Sequence, residues 1–365
     1  GHPGRVQGHE HRTGSREAER DARARRLSAG YLVVTNHGIL INMVSLLFFF
    51  FYEQRKVLGN VSVLGVPLDL GKDSSGTDLG PKYLRKCGLK EMCEDVGLAY
   101  KDLGDVDCAE RRHAVAGDMK VKYLDEIARV AEKTAQIVNN EITLKNKMVV
   151  LGGDHALSIG TISGASVACG GDLGVIWIDA HGDMMTHENT HSGNIHGMPS
   201  AAVMGLGHHQ LVNVLKPGSK IKPENIVYIG LKDLDQEEID LIRNEKLNTF
   251  TVMDIFRHGF EPVVQSIMEL QKRVGNIWVS LDIDCIDKEY APATLMATPG
   301  GLTRREVAHL TKFIGKMCKV VGLDVVELAP KLDEDGKTGQ RAIELIAHLL
   351  GSEYGWYTQY MKKFI

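Results

Sequence analysis

Several features are scarce in this chain, and each scarcity removes a class of protein. Six cysteines are spread over 365 residues with no CxxC pair, which excludes a disulfide scaffold and a zinc ribbon and favours a reducing, cytoplasm-like compartment. Charge of one sign is lacking as well: 43 basic against 47 acidic residues leave a net −4. Neither a basic nucleic-acid surface nor an acidic disordered tail fits that balance. Aromatic residues make up only 6% of the chain. The longest mostly apolar run, ILINMVSLLFFFFY at residues 39–52, has 14 residues, short of the roughly 20 that span a bilayer. Asn36, His37 and Asn42 weaken its N-terminal side, so it reads as a docked helix without stable membrane insertion. Residues 1–26 hold seven arginines, four acids and few large apolar side chains, a composition expected to be disordered. The Gly-His start gives the expectation that part of an N-terminal extension, residues 1–56, is expression-derived.

What remains is 43% hydrophobic and 25% charged, with 39 glycines, enough to bury a large core with many tight loops. From Val61 onward short apolar runs alternate with amphipathic stretches. VSVLGVP (61–67) is the first strand candidate. Leu124, Ile127, Ala128, Ala131, Ala135 and Val138 recur at helical spacing. MVVLGG (148–153), GVIWID (174–179), IVYIGLKD (226–233), IWVSLDID (277–284) and VVGLDVVE (320–327) are continuous rather than alternating. Such runs indicate strands buried on both faces. The expected fold is α/β: a three-layer α/β/α sandwich around a mostly parallel sheet, forming one domain over residues 57–365.

Acids and histidines gather where these strands end. GGDH, DAHGD, LKDLD, DID and Glu327 each follow an apolar run, and ligands of open parallel sheets bind outside the carboxyl ends of the strands. Asp179, His181 and Asp183 lie two apart, as do Asp282 and Asp284, so each set points to one side of an extended chain. With His155 they make four carboxylates and two imidazoles. Taken alone, His155 or Asp284 would read as a helix cap or surface charge, and His187 and His191 read as parts of a solvated loop. Together the six read as a two-metal site, because two divalent cations balance four carboxylates that would otherwise repel. Oxygen-rich ligation without thiolate favours Mn²⁺.

These motifs resemble the arginase branch of the ureohydrolase family. The resemblance runs from Val61 to about Ala329, through VLGVPLDLG, GGDHALSIGT, IDAHGD, HSGNIHGMP, GLKDLD, SLDIDCIDKEYAPAT, GGLTRRE and DVVELAP in order. It implies one manganese on His155, Asp179, Asp183 and Asp282 and another on His181, Asp179, Asp282 and Asp284. It also implies hydrolysis of L-arginine to L-ornithine and urea by metal-activated hydroxide, with Asp183 accepting a proton, His196 shuttling one, and Glu327 pairing with the guanidinium. Ser192, Asn194, Asp235 and Glu238 match positions that hold the amino-acid end. Arg305 and Glu306 match positions of subunit salt bridges, implying a homotrimer. Three positions depart from the family pattern: Met185 stands where Asn is usual, and Leu295 and Met296 replace Gly and Thr. They keep two alternatives in view, an arginase-like protein with little activity and a hydrolase of another guanidino compound such as agmatine.

Overall fold

Consecutive apolar residues in the central strands serve two different cores. The computed structural model describes residues 59–352, together with residue 1, and every element below lies within the unit Val57–Ile365. The first half of the chain forms β1 (Gly59–Val66), α1 (Gly80–Lys86), α2 (Leu89–Asp95), β2 (Leu98–Asp105), α3 (Leu124–Thr143), β3 (Lys147–Gly152), α4 (Ser158–Ala168), β4 (Gly174–Ile178), α5 (Pro199–Met204) and α6 (His209–Val212). The second half forms β5 (Ile226–Leu231), α7 (Gln236–Glu245), β6 (Asn248–Thr251), α8 (Val252–His258), α9 (Glu261–Arg273), β7 (Ile277–Asp282), α10 (Arg304–Met317), β8 (Val320–Val326) and α11 (Lys337–Leu349). Val149 and Leu151 of β3 face a core built with α1, α2 and α8 to α11. Met148 and Val150 face the other core, built with α3 to α6. Ile176 and Ile178 against Val175 and Trp177 repeat the split on β4, as the period of two in a strand requires.

Among the described residues eight strands run in the order β2-β1-β3-β8-β7-β4-β5-β6, and every pairing between them is parallel. The expected three-layer α/β/α sandwich is thus present, with its sheet wholly parallel. After β3 the chain skips two places to lay down β4, and β7 and β8 fill the gap last. The six strands read from the sequence are all present. The edge strands β2 and β6 carried no comparable signal: β2 is largely solvated and β6 only half-buried.

The amphipathic helix expected from Leu124 onward is α3, which buries Ile127, Val130, Ala131, Ala135 and Val138. It packs on α4 through small residues. A Cβ on Gly160 would sit 2.6 Å from Ala131 O, and one on Gly164 would sit 2.4 Å from Ala135 O. All six cysteines are free. Among the described residues no helix is long and apolar enough to cross a membrane. The apolar run at residues 39–52 and the C-terminal GWYTQYMKKFI lie outside the described residues.

Candidate metal centre and substrate cleft

Five neighbouring strands, β3, β8, β7, β4 and β5, deliver the charged residues to one rim. His155 opens a single 3-10 turn after β3, capped by Asp154, whose carboxylate accepts the Ala156 N–H at 3.0 Å and the Gly71 N–H at 2.7 Å. Asp179 follows β4, Asp282 ends β7 and Glu327 follows β8. His155 Nδ1 lies 3.1 Å from Asp179 Oδ2, 2.9 Å from Asp183 Oδ2 and 3.2 Å from Asp282 Oδ2. His181 Nδ1 lies 3.2 Å from Asp284 Oδ2 and 3.5 Å from Asp179 Oδ1. His155, Asp179 and Asp282 form one ligand cluster, and Asp179, His181 and Asp284 form another. Asp179 belongs to both. His155 and all four aspartates are buried.

The other face of the His155 ring fixes what Nδ1 can do. Asp324, fully buried, accepts hydrogen bonds from Ser280 Oγ (2.6 Å), Thr161 Oγ1 (2.6 Å), Trp278 Nε1 (2.7 Å) and Ser158 Oγ (3.2 Å). Ser280 spends its one proton on Asp324, so toward His155 Nε2, at 2.9 Å, it can only accept. In the neutral ring Nε2 therefore carries the proton and Nδ1 presents a lone pair to three carboxylate oxygens. None of them lies where an Nδ1–H could donate, and Nδ1 is a buried nitrogen without a hydrogen-bond partner. A lone pair among anions is repulsive unless a cation sits between them. The donor set fits a divalent metal ion, and the Asp324–Ser280–His155 chain is the outer support that metal-bound histidines require.

The electrostatics show a surplus of negative charge in the cluster, which either protons or a metal ion can offset. Burial pushes the Asp282 carboxyl well up, and the Asp284 and Asp179 charges add to it. Burial and Asp179 raise Asp183 and Asp284 likewise. Burial alone would lower the two histidines, but the facing carboxylates hold both well above the usual range. Burial would raise Asp179 too, yet the imidazoles of His155 and His181 beside it take it below the ordinary carboxylate range.

Beside the clusters lies a cavity of about 460 Å³ lined by Asp183, His196, Glu327, Ser192, Asn194, Asp235 and Glu238 among others. Every residue expected at the site reaches either it or the His155 cluster. Their engagements differ. His196 Nδ1 is 3.4 Å from Glu327 Oε1. Asn194 Oδ1 accepts from Lys122 Nζ at 3.2 Å, and its amide nitrogen donates to Asp73 at 3.3 Å. Glu238 is buried, and its two oxygens accept the N–H groups of Met184 and Asp235 at 3.0 Å each, closing the capping box of α7. Burial pushes its carboxyl up to about 7. Met185 lines the cavity but is buried in the second core, whereas Met296 is an exposed lining residue. Leu295 is half-buried. His191 sits exposed, 3.4 Å from Glu237, and His187 packs edge-on against His208, both apart from the clusters.

Asp183 (φ 52°) and Glu327 (φ 66°) adopt left-handed backbone, which costs a non-glycine residue on the order of 1–3 kcal/mol. Three participants escaped the sequence reading. Ser280 and Asp324 are single polar residues inside apolar strands, a signal that was present. Lys72 is buried in the loop after β1 with its ammonium on Glu327, and nothing local marks it.

A family profile described as the Arginase family matches residues 59–351. The arginase of Bacillus subtilis (strain 168) is 38% identical over 293 residues, covering 80% of this chain and 98% of that protein. The crystal structure of arginase from Bacillus caldovelox superposes with a TM-score of 0.77 at 37% identity, covering 80% of this chain and 99% of that one. An Entamoeba histolytica arginase solved in complex with L-ornithine gives a TM-score of 0.73 at 32% identity over 80% and 99%. The catalytic fold, its rim of acids and histidines, and these likenesses agree: the chain belongs to the arginase family and is an arginase-type metallohydrolase.

Proposed function

We propose that the chain hydrolyses L-arginine to L-ornithine and urea with two Mn²⁺ ions per subunit. The observation that carries this reading is His155 Nδ1, buried without a hydrogen-bond partner among three buried carboxylates, beside a second cluster sharing Asp179. His155, Asp179, Asp183 and Asp282 would hold one ion and His181, Asp179, Asp282 and Asp284 the other. When bound, the ions would supply a water of lowered pKa and polarise the scissile carbon–nitrogen unit. Asp183, at the cavity wall, accepts a proton as the tetrahedral carbon collapses. His196 carries a proton toward the leaving amine, oriented by Glu327. Burial would lower the His196 imidazole, but Glu327 raises it overall, which suits a donor. Glu327 faces the guanidinium, while Ser192, Asn194, Asp235 and Glu238 face the amino-acid end. The similarity to the Entamoeba histolytica arginase solved with L-ornithine supports an amino-acid product. The assembly is a homotrimer joined near Arg305 and Glu306, with Glu306 also closing the capping box of α10 with Thr303. Residues 57–365 form the catalytic domain and residues 1–56 an extension.

The experiment is dialysis against Mn²⁺ followed by elemental analysis and a urea assay. About two ions per chain with urea release supports the whole reading. Absence of bound metal overturns it, and metal without urea sinks the arginine assignment. The exposed lining residue Met296, with Leu295 and Met185, favours a second reading of feeble arginase activity or another guanidino substrate such as agmatine. Met185→Asn with Met296→Thr tests it: a rise in urea release implicates the cleft lining, and no change excludes it.

A further inference from the structure

Glu327 lines the cavity, yet neither of its oxygens is free. Its Oε1 accepts the His155 N–H at 2.9 Å and faces His196, and its Oε2 holds the ammonium of Lys72. Lys72 is 2% exposed and Glu327 3%, so water does not screen the pair. Lys72 is not itself a cavity wall; it reaches the carboxylate from behind. Its loop is pinned, because Arg111 Nη2 donates to the carbonyl oxygens of Lys72, at 2.6 Å, and of Asp69. A guanidinium that docks as a planar fork needs both carboxylate oxygens. Seating one here displaces the ammonium and leaves Lys72 a buried cation without its partner, which is costly. Charge tells the same story for this one carboxylate: Lys72 and Glu327 already sum to zero, so Glu327 itself adds little net pull on a cation.

We propose that Lys72 is a specificity-determining residue, an internal counter-ion that occupies Glu327 and weakens the cleft's grip on cationic guanidino groups relative to uncharged groups of the same shape. This rests on Glu327 being the anchor for the reacting group in the proposed function. Its effect is independent of Met185 and Met296, neither of which touches the Lys72–Glu327 pair.

The test uses the full chain, L-arginine as the cationic probe and L-citrulline as its uncharged ureido counterpart. Calorimetric titration of metal-free wild type, Lys72→Met and Lys72→Gln gives an arginine-over-citrulline preference for each. The aspartate cluster is common to all three proteins, so the change in preference isolates Lys72. The preference rises on the order of tenfold or more in both variants. It does not rise in Lys72→Met/Glu327→Gln, where the anchor is also lost. In the Mn²⁺-loaded enzyme the gain appears as a lower KM for arginine rather than a higher kcat. A preference that stays at the wild-type value overturns the proposal, as does undetectable binding in every variant. A purely structural lysine would lower the melting temperature without moving the preference. Lys72→Gln, which keeps a hydrogen-bond donor for Glu327, covers the case where Lys72→Met does not fold. Failure of urea release would count against the proposed reaction alone, since the titration does not depend on turnover.

Discussion

Ser280→Ala tests whether the outer support of His155 governs metal affinity. Ser280 Oγ sits between the His155 Nε2–H at 2.9 Å and Asp324 at 2.6 Å, all fully or almost fully buried. Removing the oxygen leaves a buried imidazole N–H with no acceptor, worth about 1–3 kcal/mol. It also takes one of four donors from Asp324. The freed ring can turn or change tautomer, and loss of such supports weakens metal binding about 10–100-fold, or roughly 1.4–2.7 kcal/mol. The two routes give the same magnitude. The assay is Mn²⁺ affinity of metal-stripped protein, measured by competition with a chelating dye, with urea release as a second readout. Thr161→Val is the control: it also strips a 2.6 Å donor from Asp324 but leaves the Ser280–His155 contact in place. It should lower stability and spare metal affinity. The reasoning is refuted if Ser280→Ala binds Mn²⁺ as tightly as wild type, or if Thr161→Val weakens binding equally.

Gly164→Ala should destabilise the fold although alanine favours helix by about 1 kcal/mol. Its Cβ would lie 2.4 Å from Ala135 O and 2.9 Å from Val138 Cβ, and overpacking costs about 1–3 kcal/mol; a raised urea midpoint would contradict this. His348 is buried on Thr311, and burial pushes its imidazole down to about 4, against about 6.5 when unfolded. The unfolded chain therefore takes up the proton first as pH falls. The stability contribution is full above about 6.5 and lost toward 4, by at most about 3.4 kcal/mol. Metal-stripped wild type should lose more stability than His348→Gln between pH 7 and 4.5, and parallel losses would count against it. Chelation should lower the melting temperature, because metal at about 100 times its Kd adds about 2.7 kcal/mol per site. An unchanged melt on adding Mn²⁺ to stripped protein would argue that the two clusters hold none.

The sequence exposes strands in proportion to how deeply they are buried. β3, β4, β5 and β7 are buried along almost their whole length, so their apolar pattern stands out even though Ser280 interrupts β7. β2 shows the opposite logic. As an edge it has one neighbour, its Asp102 and Asp105 pair with Arg85 and its Lys101 with Glu141, and LAYKDLGD is indistinguishable from a loop. β6, the other edge, has four half-buried residues, too few to show a period. Parallel geometry was legible because two helical layers must cover both faces. The strand order was not, since nothing local says that β7 and β8 insert between β3 and β4.

That hidden order separates the legible part of the site from the rest. The six candidate ligands could be found because each lies at or just beyond a recognisable strand end, and a rim collects strand ends whatever their order. The support behind His155 depends on the order itself. Ser280 of β7 and Asp324 of β8 are register partners, and Trp278, two residues before Ser280, points its indole N–H to the same carboxylate. Read singly, each is a stray polar residue in an apolar strand. Only when β8 is placed between β3 and β7 do they become one network that sets the His155 tautomer. Lys72 is further from reach: its partner lies 255 residues away, and its sequence neighbours, Asp69 and Asp73, suggest solvated local pairing. What a strand end offers to a metal is therefore written in the chain's local pattern. What selects the substrate's charge is written in which loops the sheet brings together, and there Lys72 and Glu327 meet.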